Sequence, residues 1–262
     1  MKLTILGCSG GIGSGRHTTC FKLDDDILID AGTGITTLSL DQLLAIDHLI
    51  LTHAHMDHVL GLPLLLDAVG DKRRTPLVVH ALPEVLEALS THMFNWRLWP
   101  DFREIPSAEH PWVRFDTWQM SEKLTLGART FTPLPANHVV PACGIQMSVA
   151  GGSLVFSGDT TSSEAFTAAL NAIPDLRHLI IETSFENALA EIAQESKHHW
   201  PDSLAETLLE LKVRPEVWIT HLKPGNEAAI MVELRAAAPD WDLKALEQGQ
   251  VIDLEGDWGD GV

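Results

Sequence analysis

The chain has 262 residues, 45% of them hydrophobic, and a formal net charge of −18. That length and apolar share sustain one large core without disulfide staples, and no run approaches the roughly 20 apolar residues of a membrane-spanning helix. The acidic balance argues against a nucleic-acid binder held by Lys and Arg contacts, and it makes a small anionic substrate awkward unless bound cations supply local positive charge.

In chain order, MKLTILGCSGGIGSG reads as a first strand and a turn, its apolar run too short for a signal peptide. CFKLDDDILIDAG, HLILTH and PLVVHA follow as strands, and LPEVLEALSTHMF carries helical spacing. Residues 94–120, rich in Trp and Pro, fit neither pattern and are expected to form an irregular insertion with one edge strand. RTFTPLPA and CGIQMSVAGGSLVFSGD are strands, the second with a hairpin turn at GGSL. SEAFTAALNAI, DSLAETLLELK and NEAAIMVELRAAA then read as helices, alternating with the strands HLIIET and EVWITHL. Paired strands with interspersed helices predict a layered α/β domain spanning residues 1–262. The three cysteines, Cys8, Cys20 and Cys143, form no CxxC pair, which points to a reducing, cytoplasmic setting.

Polar residues gather where strands end. Asp30 closes one, and LTHAHMDH places His53, His55, Asp57 and His58 at the end of another. His138, Asp159 and His221 follow later strands. Such ends converge at one rim of a sheet, where ligand sites are built. His-x-His on extended backbone sends both imidazoles to one side, while Asp57 and His58 begin the next element and point back at the same space. Imidazole and carboxylate suit Zn²⁺, Fe or Mn²⁺, and the lack of cysteine ligands argues against a closed structural zinc site.

THAHMDH resembles the His-x-His-x-Asp-His signature of the metallo-β-lactamase-fold hydrolases. The likeness extends through LGCSGGIGSGRHTTCFKLDDDILIDAGTG, NHVVPACG, FSGDT and ITHLKPG. The resemblance implies an αββα sandwich of two mixed β-sheets, with His53, His55 and His138 on one ion. Asp57, His58 and His221 would hold a second, and Asp159 would bridge the two. HMFNWRLWPDF, IIETSFEN and ESKHHWPDSLAETLLEL are similar to the class II cyclic-nucleotide phosphodiesterases, although Met56 and the Leu66–Asp67 pair depart from that pattern.

That likeness implies a small cyclic nucleotide as substrate, opened to the 5′-monophosphate at two divalent ions, with Zn²⁺ expected and Mn²⁺ or Fe as alternatives. His198, three residues before Pro201, is the expected proton donor, with His199 as the fallback. Asn95 and Trp99 are expected substrate contacts, and a homodimer is compatible with the Trp-rich insertion. GGIGSGR reads as a tight turn rather than a phosphate loop, because no GK[ST] follows. Asp30, Glu182, Thr183 and Ser184 are expected to support the site, and Lys223 either reaches a phosphate or is solvated. The rival readings are a tRNA 3′-processing endonuclease, a broad small-molecule phosphodiesterase, and a nucleotide-binding protein without catalysis.

Overall fold

The computed structural model describes residues 1–254. Strands β1 (Lys2–Gly7), β2 (Cys20–Leu23), β3 (Ile27–Ile29), β4 (His48–Ile50), β5 (Leu77–Ala81) and β6 (Val113–Thr117) form the first half of the chain's β-structure. Strands β7 (Leu124–Leu126), β8 (Arg129–Pro135), β9 (Cys143–Val149), β10 (Gly152–Phe156), β11 (Leu176–Glu182), β12 (Glu216–Thr220), β13 (Leu243–Ala245) and β14 (Val251–Asp253) follow. They make two seven-stranded sheets, ordered β14-β1-β2-β3-β4-β5-β6 and β13-β12-β11-β10-β9-β8-β7.

Both sheets are mixed. The chain turns back directly from β1 to β3 and from β7 to β10, so those neighbours are antiparallel. Helices carry it from β3 to β6 and from β10 to β13, so those neighbours are parallel. The helices are α1 (Leu40–Ala45), α2 (Met56–Val59), α3 (Gly61–Val69), α4 (Pro83–Ala88), α5 (Glu164–Asn171), α6 (Ala190–Ser196), α7 (Pro201–Leu209) and α8 (Glu227–Ala237).

Side-chain alternation decides the layers. Ile27, Ile29, Ile50 and Ile180 face the opposing sheet, in a core with Phe21, Phe131 and Phe156. Their neighbours Leu28, Leu49 and Leu51 turn outward against Leu62, Leu65 and Leu66 of α3. Leu179 and Ile181 do the same under Phe166 of α5, Leu204 and Leu208 of α7, and Ile230 and Leu234 of α8. The result is the αββα sandwich. The sequence patterns assign no helix to α3, because GLPLLLDAV holds a single polar residue, Asp67, and its exposed face includes Leu64, so residue type alone does not separate the buried face from the exposed one. The three-residue strands β7, β13 and β14 are too short to show alternation.

Residues 94–112 hold no helix or strand, and β6 lies at the edge of its sheet. Phe102 packs on Trp112 with ring centres 5.1 Å apart, and with Phe94 it joins the outer core of the first sheet. No helix among the described residues is long and apolar enough to cross a membrane.

Phe156 is fully buried between the sheets, edge-on to Phe21 at 4.9 Å. Phe156→Ala should cost about 3–5 kcal/mol, read as a lower urea midpoint with an unchanged m-value.

Candidate metal centre

Six chain segments reach one rim because they follow strands that run the same way. Asp30 follows β3, Thr52 to His58 follow β4, and His138 follows β8. Asp159 follows β10, Glu182 to Ser184 end β11, and His221 follows β12. After β4 the chain stays extended through His55 and then turns into α2, which puts Asp57 and His58 one helical turn back over the two earlier histidines. Gly32 makes room for that turn: a Cβ there would lie 2.1 Å from the Asp57 carbonyl oxygen.

Three groups of potential ligand atoms result. His53, His55, His138 and Asp159 form one, Asp57, His58, Asp159 and His221 a second, and Glu182, His198 and His221 a third, all atoms within 4.8 Å of one another in each group. Asp159 belongs to the first two, and His221 to the second and third. Asp159 Oδ1 lies 3.4 Å from His58 Nε2, and its Oδ2 lies 3.6 Å from His53 Nε2 and 3.4 Å from His221 Nε2. Asp57 Oδ2 is 3.3 Å from His221 Nε2, and His138 Nε2 is 3.1 Å from His55 Nδ1.

The donor set fits two cations. His53 Nε2 and His58 Nε2 are buried without a hydrogen-bond partner, a costly state for polar atoms unless an ion takes their lone pairs. Burial holds His53 well below the usual imidazole range and pushes His138 down to about 4, so both are neutral, the ligating form. Burial also opposes the charge on His58, but the carboxylates of Asp159 and Asp30 outweigh it and hold His58 high. Burial would raise Asp159 too; the imidazoles of His221 and His58 reverse this and keep it ionised.

Behind the ligands stand two buried carboxylates. Asp30, in the left-handed region at φ 55°, accepts from Thr52 N (2.9 Å), Thr52 Oγ1 (2.8 Å) and His58 Nδ1 (2.6 Å). Thr52 Oγ1 also lies 3.0 Å from His53 Nδ1, so Asp30 reaches one histidine of each group. Glu182 holds His198 Nδ1 at 2.7 Å through Oε1 and accepts from Ser184 Oγ at 3.1 Å through Oε2. The His198 ring stacks on His221 (5.2 Å, 18°) and meets His138 edge-on at 5.1 Å.

The structure thus brings together His53, His55, Asp57, His58, His138, Asp159, His198 and His221. His199 is turned elsewhere: its Nδ1 lies 3.0 Å from Ser203 Oγ on α7, and burial pushes it down to about 4, so it makes a poor acid. Asn95 and Trp99 are not among the residues brought together. They lie between α4 and β6, which returns the chain to the sheet parallel to β5. There Asn95 accepts from Arg97 N and Leu98 N, and Trp99 packs on the outer core of the first sheet.

Lys223 donates to the Gly10 carbonyl at 2.7 Å, so it ties the glycine loop down. That loop is a turn, with Arg16 N donating to Gly13 O. Two supports escaped sequence reasoning. Thr52 sits directly before the histidine motif, a position that could have flagged it. Lys197 accepts His138 Nδ1 on its carbonyl (3.2 Å) and donates its ammonium to the His138 carbonyl, with no sequence signal. His48, His80 and Asp116 also line up across β4, β5 and β6 in a row outside the cluster.

Residues 25–222 match the family described as "Beta-lactamase superfamily domain". The chain is 26% identical over 166 residues to a probable 3′,5′-cyclic-nucleotide phosphodiesterase of Yersinia pestis, over 56% of this chain and 46% of that protein. It is 30% identical over 154 residues to a ribonuclease Z of Bacteroides fragilis, over 55% of this chain and 48% of that one. The chain therefore spans about half the length of these relatives. The fold superposes on unliganded yeast PDE1 with a TM-score of 0.80 at 19% identity, over 95% of this chain and 98% of that one.

Asp30→Asn keeps the shape of the side chain but loses the acceptor for His58 Nδ1. Metal affinity should fall about 10- to 100-fold, measured by chelator competition, while cooperative thermal unfolding is retained. Wild-type affinity would show that the bond is dispensable.

Proposed function

The chain belongs to the beta-lactamase superfamily as a metallo-β-lactamase-fold hydrolase, and from that footing we propose that it is a binuclear metal-dependent phosphodiesterase opening 3′,5′-cyclic nucleotides, cyclic AMP or cyclic GMP, to 5′-monophosphates. His53, His55 and His138 would hold one ion, Asp57, His58 and His221 the other, and Asp159 both. Zn²⁺ suits this donor set best, with Mn²⁺ or Fe as alternatives. When bound, the pair would polarise the phosphoryl oxygens and lower the pKa of water from 15.7 to about 7.

The observation that carries the reading is the His198–Glu182 pair beside the cluster. Opening the ring at the 3′-oxygen releases an alkoxide, which needs a proton. His198 Nδ1–H donates to Glu182 Oε1, which leaves Nε2–H free to serve the leaving oxygen. Burial opposes the imidazolium, but the Glu182 carboxylate outweighs it and raises His198 above its ordinary value. The position of the ring, between His138 and His221, matches that role. The curated relative from Yersinia pestis supports the same substrate class.

A second reading, tRNA 3′-end cleavage, is favoured by the ribonuclease Z relative. A net charge of −18 counts against it, since a long polyanion must lie along the surface.

Turnover with Zn²⁺, Mn²⁺ or Fe²⁺ separates the readings, using cyclic AMP, cyclic GMP, bis(p-nitrophenyl) phosphate and a tRNA precursor. Ring opening to the 5′-monophosphate is expected. Cleavage of the artificial diester or the tRNA alone would sink the cyclic-nucleotide reading. His198→Ala should keep its metal and lose about 10²- to 10⁴-fold in kcat on cyclic nucleotide, and much less on bis(p-nitrophenyl) phosphate, whose leaving group needs no proton. An undiminished rate on cyclic nucleotide would remove His198 as the donor.

A further inference from the structure

Ser184 stands at the end of β11 with its hydroxyl buried among three partners. Its Oγ is 2.8 Å from His221 Nδ1, 3.1 Å from Glu182 Oε2 and 3.2 Å from His198 Nδ1. A hydroxyl has one proton and two lone pairs, so the roles can be counted. Glu182 is ionised and accepts only, and His198 Nδ1–H goes to Glu182 Oε1 at the shorter 2.7 Å. The Ser184 proton therefore goes to Glu182 Oε2, and a lone pair of Oγ accepts from His221 Nδ1–H.

We propose that Ser184 is a positioning residue that relays the charge of Glu182 to His221, fixing the His221 tautomer so that Nε2 keeps its lone pair for the second ion. One carboxylate then orients two imidazoles at once, the proton donor directly and the metal ligand through a hydroxyl. The inference rests on the two-ion reading of the cluster.

His221 Nε2 faces the carboxylates of Asp57 (3.3 Å) and Asp159 (3.4 Å), so Nδ1 is the atom left for Ser184 to address. The His221 backbone is in the left-handed region at φ 61°, a conformation that L side chains rarely adopt. The other side of the residue is closed by Gly10, where a Cβ would lie 2.8 Å from His221 Nδ1 and 2.3 Å from the His221 carbonyl oxygen. The ring stacks on both His198 (5.2 Å, 18°) and His58 (5.7 Å, 23°). Ser184 itself is pinned by its backbone, N–H to the His199 carbonyl at 3.0 Å, so the hydroxyl is presented from a fixed point. Among the described residues it is the hydrogen-bond partner of His221 Nδ1.

Removing the hydroxyl leaves His221 free to carry its proton on either nitrogen, and one tautomer cannot ligate. The first group, His53, His55 and His138, does not touch Ser184. The effect should fall on one ion of the two.

The test is metal uptake by purified protein stripped of ions, with Zn²⁺ in chelator competition and Co²⁺ followed by its visible bands, neither of which needs a substrate. Ser184→Ala should bind one ion as the wild type does and the second about 10- to 100-fold more weakly. Ser184→Thr, which keeps the hydroxyl, should take up both ions nearly as the wild type does. Equal weakening of both ions in Ser184→Ala would mean a general structural role, and no weakening would mean no role; either overturns the proposal. A wild-type protein that takes up a single ion would sink the binuclear reading itself, and that is seen before any variant is made.

Discussion

The structure depends on keeping Asp159 ionised inside the protein. An unpaired carboxylate in that position would cost several kcal/mol or take up a proton. The imidazoles of His53, His58 and His221 surround its two oxygens at 3.4–3.6 Å. Those imidazoles come from both sheets, so the carboxylate is stabilised only when the β4 rim and the β10–β12 rim meet. The sandwich core aligns the sheets, and the cluster specifies their register at one end.

The two carboxylates behind the ligands, Asp30 and Glu182, repeat one device in each sheet. Asp30, just past β3, takes His58 directly and His53 through the hydroxyl of Thr52. Glu182, at the end of β11, takes His198 directly and His221 through the hydroxyl of Ser184. Each arrangement has a buried carboxylate, a short hydroxyl side chain and two imidazoles. The sheets also share their order of antiparallel and parallel connections, so similar backbone ends present similar polar residues. In the first sheet both imidazoles are candidate ligands. In the second, His221 is a candidate ligand, and on the proposed reading His198 is the one left free to act as an acid.

Much of this was legible in the chain. β1 coincides with KLTILG, and α5, α7 and α8 fall within the helical runs, because alternation and three-to-four spacing record which face is buried. The convergence of His53, His55, Asp57 and His58 with His138, Asp159 and His221 was legible too, since every one of them follows a strand. Helix α3 was not, because its outer face carries Leu64 and Ala68 beside Asp67, so residue type does not mark which side is buried. The place of Asn95 and Trp99 outside the His and Asp groups was not legible, for a topological reason. Residue types near an aromatic-rich segment say what it can bind, but the direction of the crossover from β5 to β6 says where it lies. His198 and His199 are adjacent and chemically alike; only the partners Glu182 and Ser203 separate acid from structural residue.

The net charge of −18 also reads differently once the site is placed. At physiological ionic strength the field of exposed charges decays over roughly 8 Å. A small cyclic phosphodiester within the rim therefore responds mainly to the imidazoles and to any ions they hold, with distant surface carboxylates largely screened. An RNA of many phosphates cannot confine itself to that volume, and each further phosphate meets acidic surface without a released counterion to favour it. The same surface that leaves a compact anion nearly untouched repels an extended one. On the proposed reading, acidity would therefore act as a size filter on substrates that share one scissile bond, favouring the small member of the class.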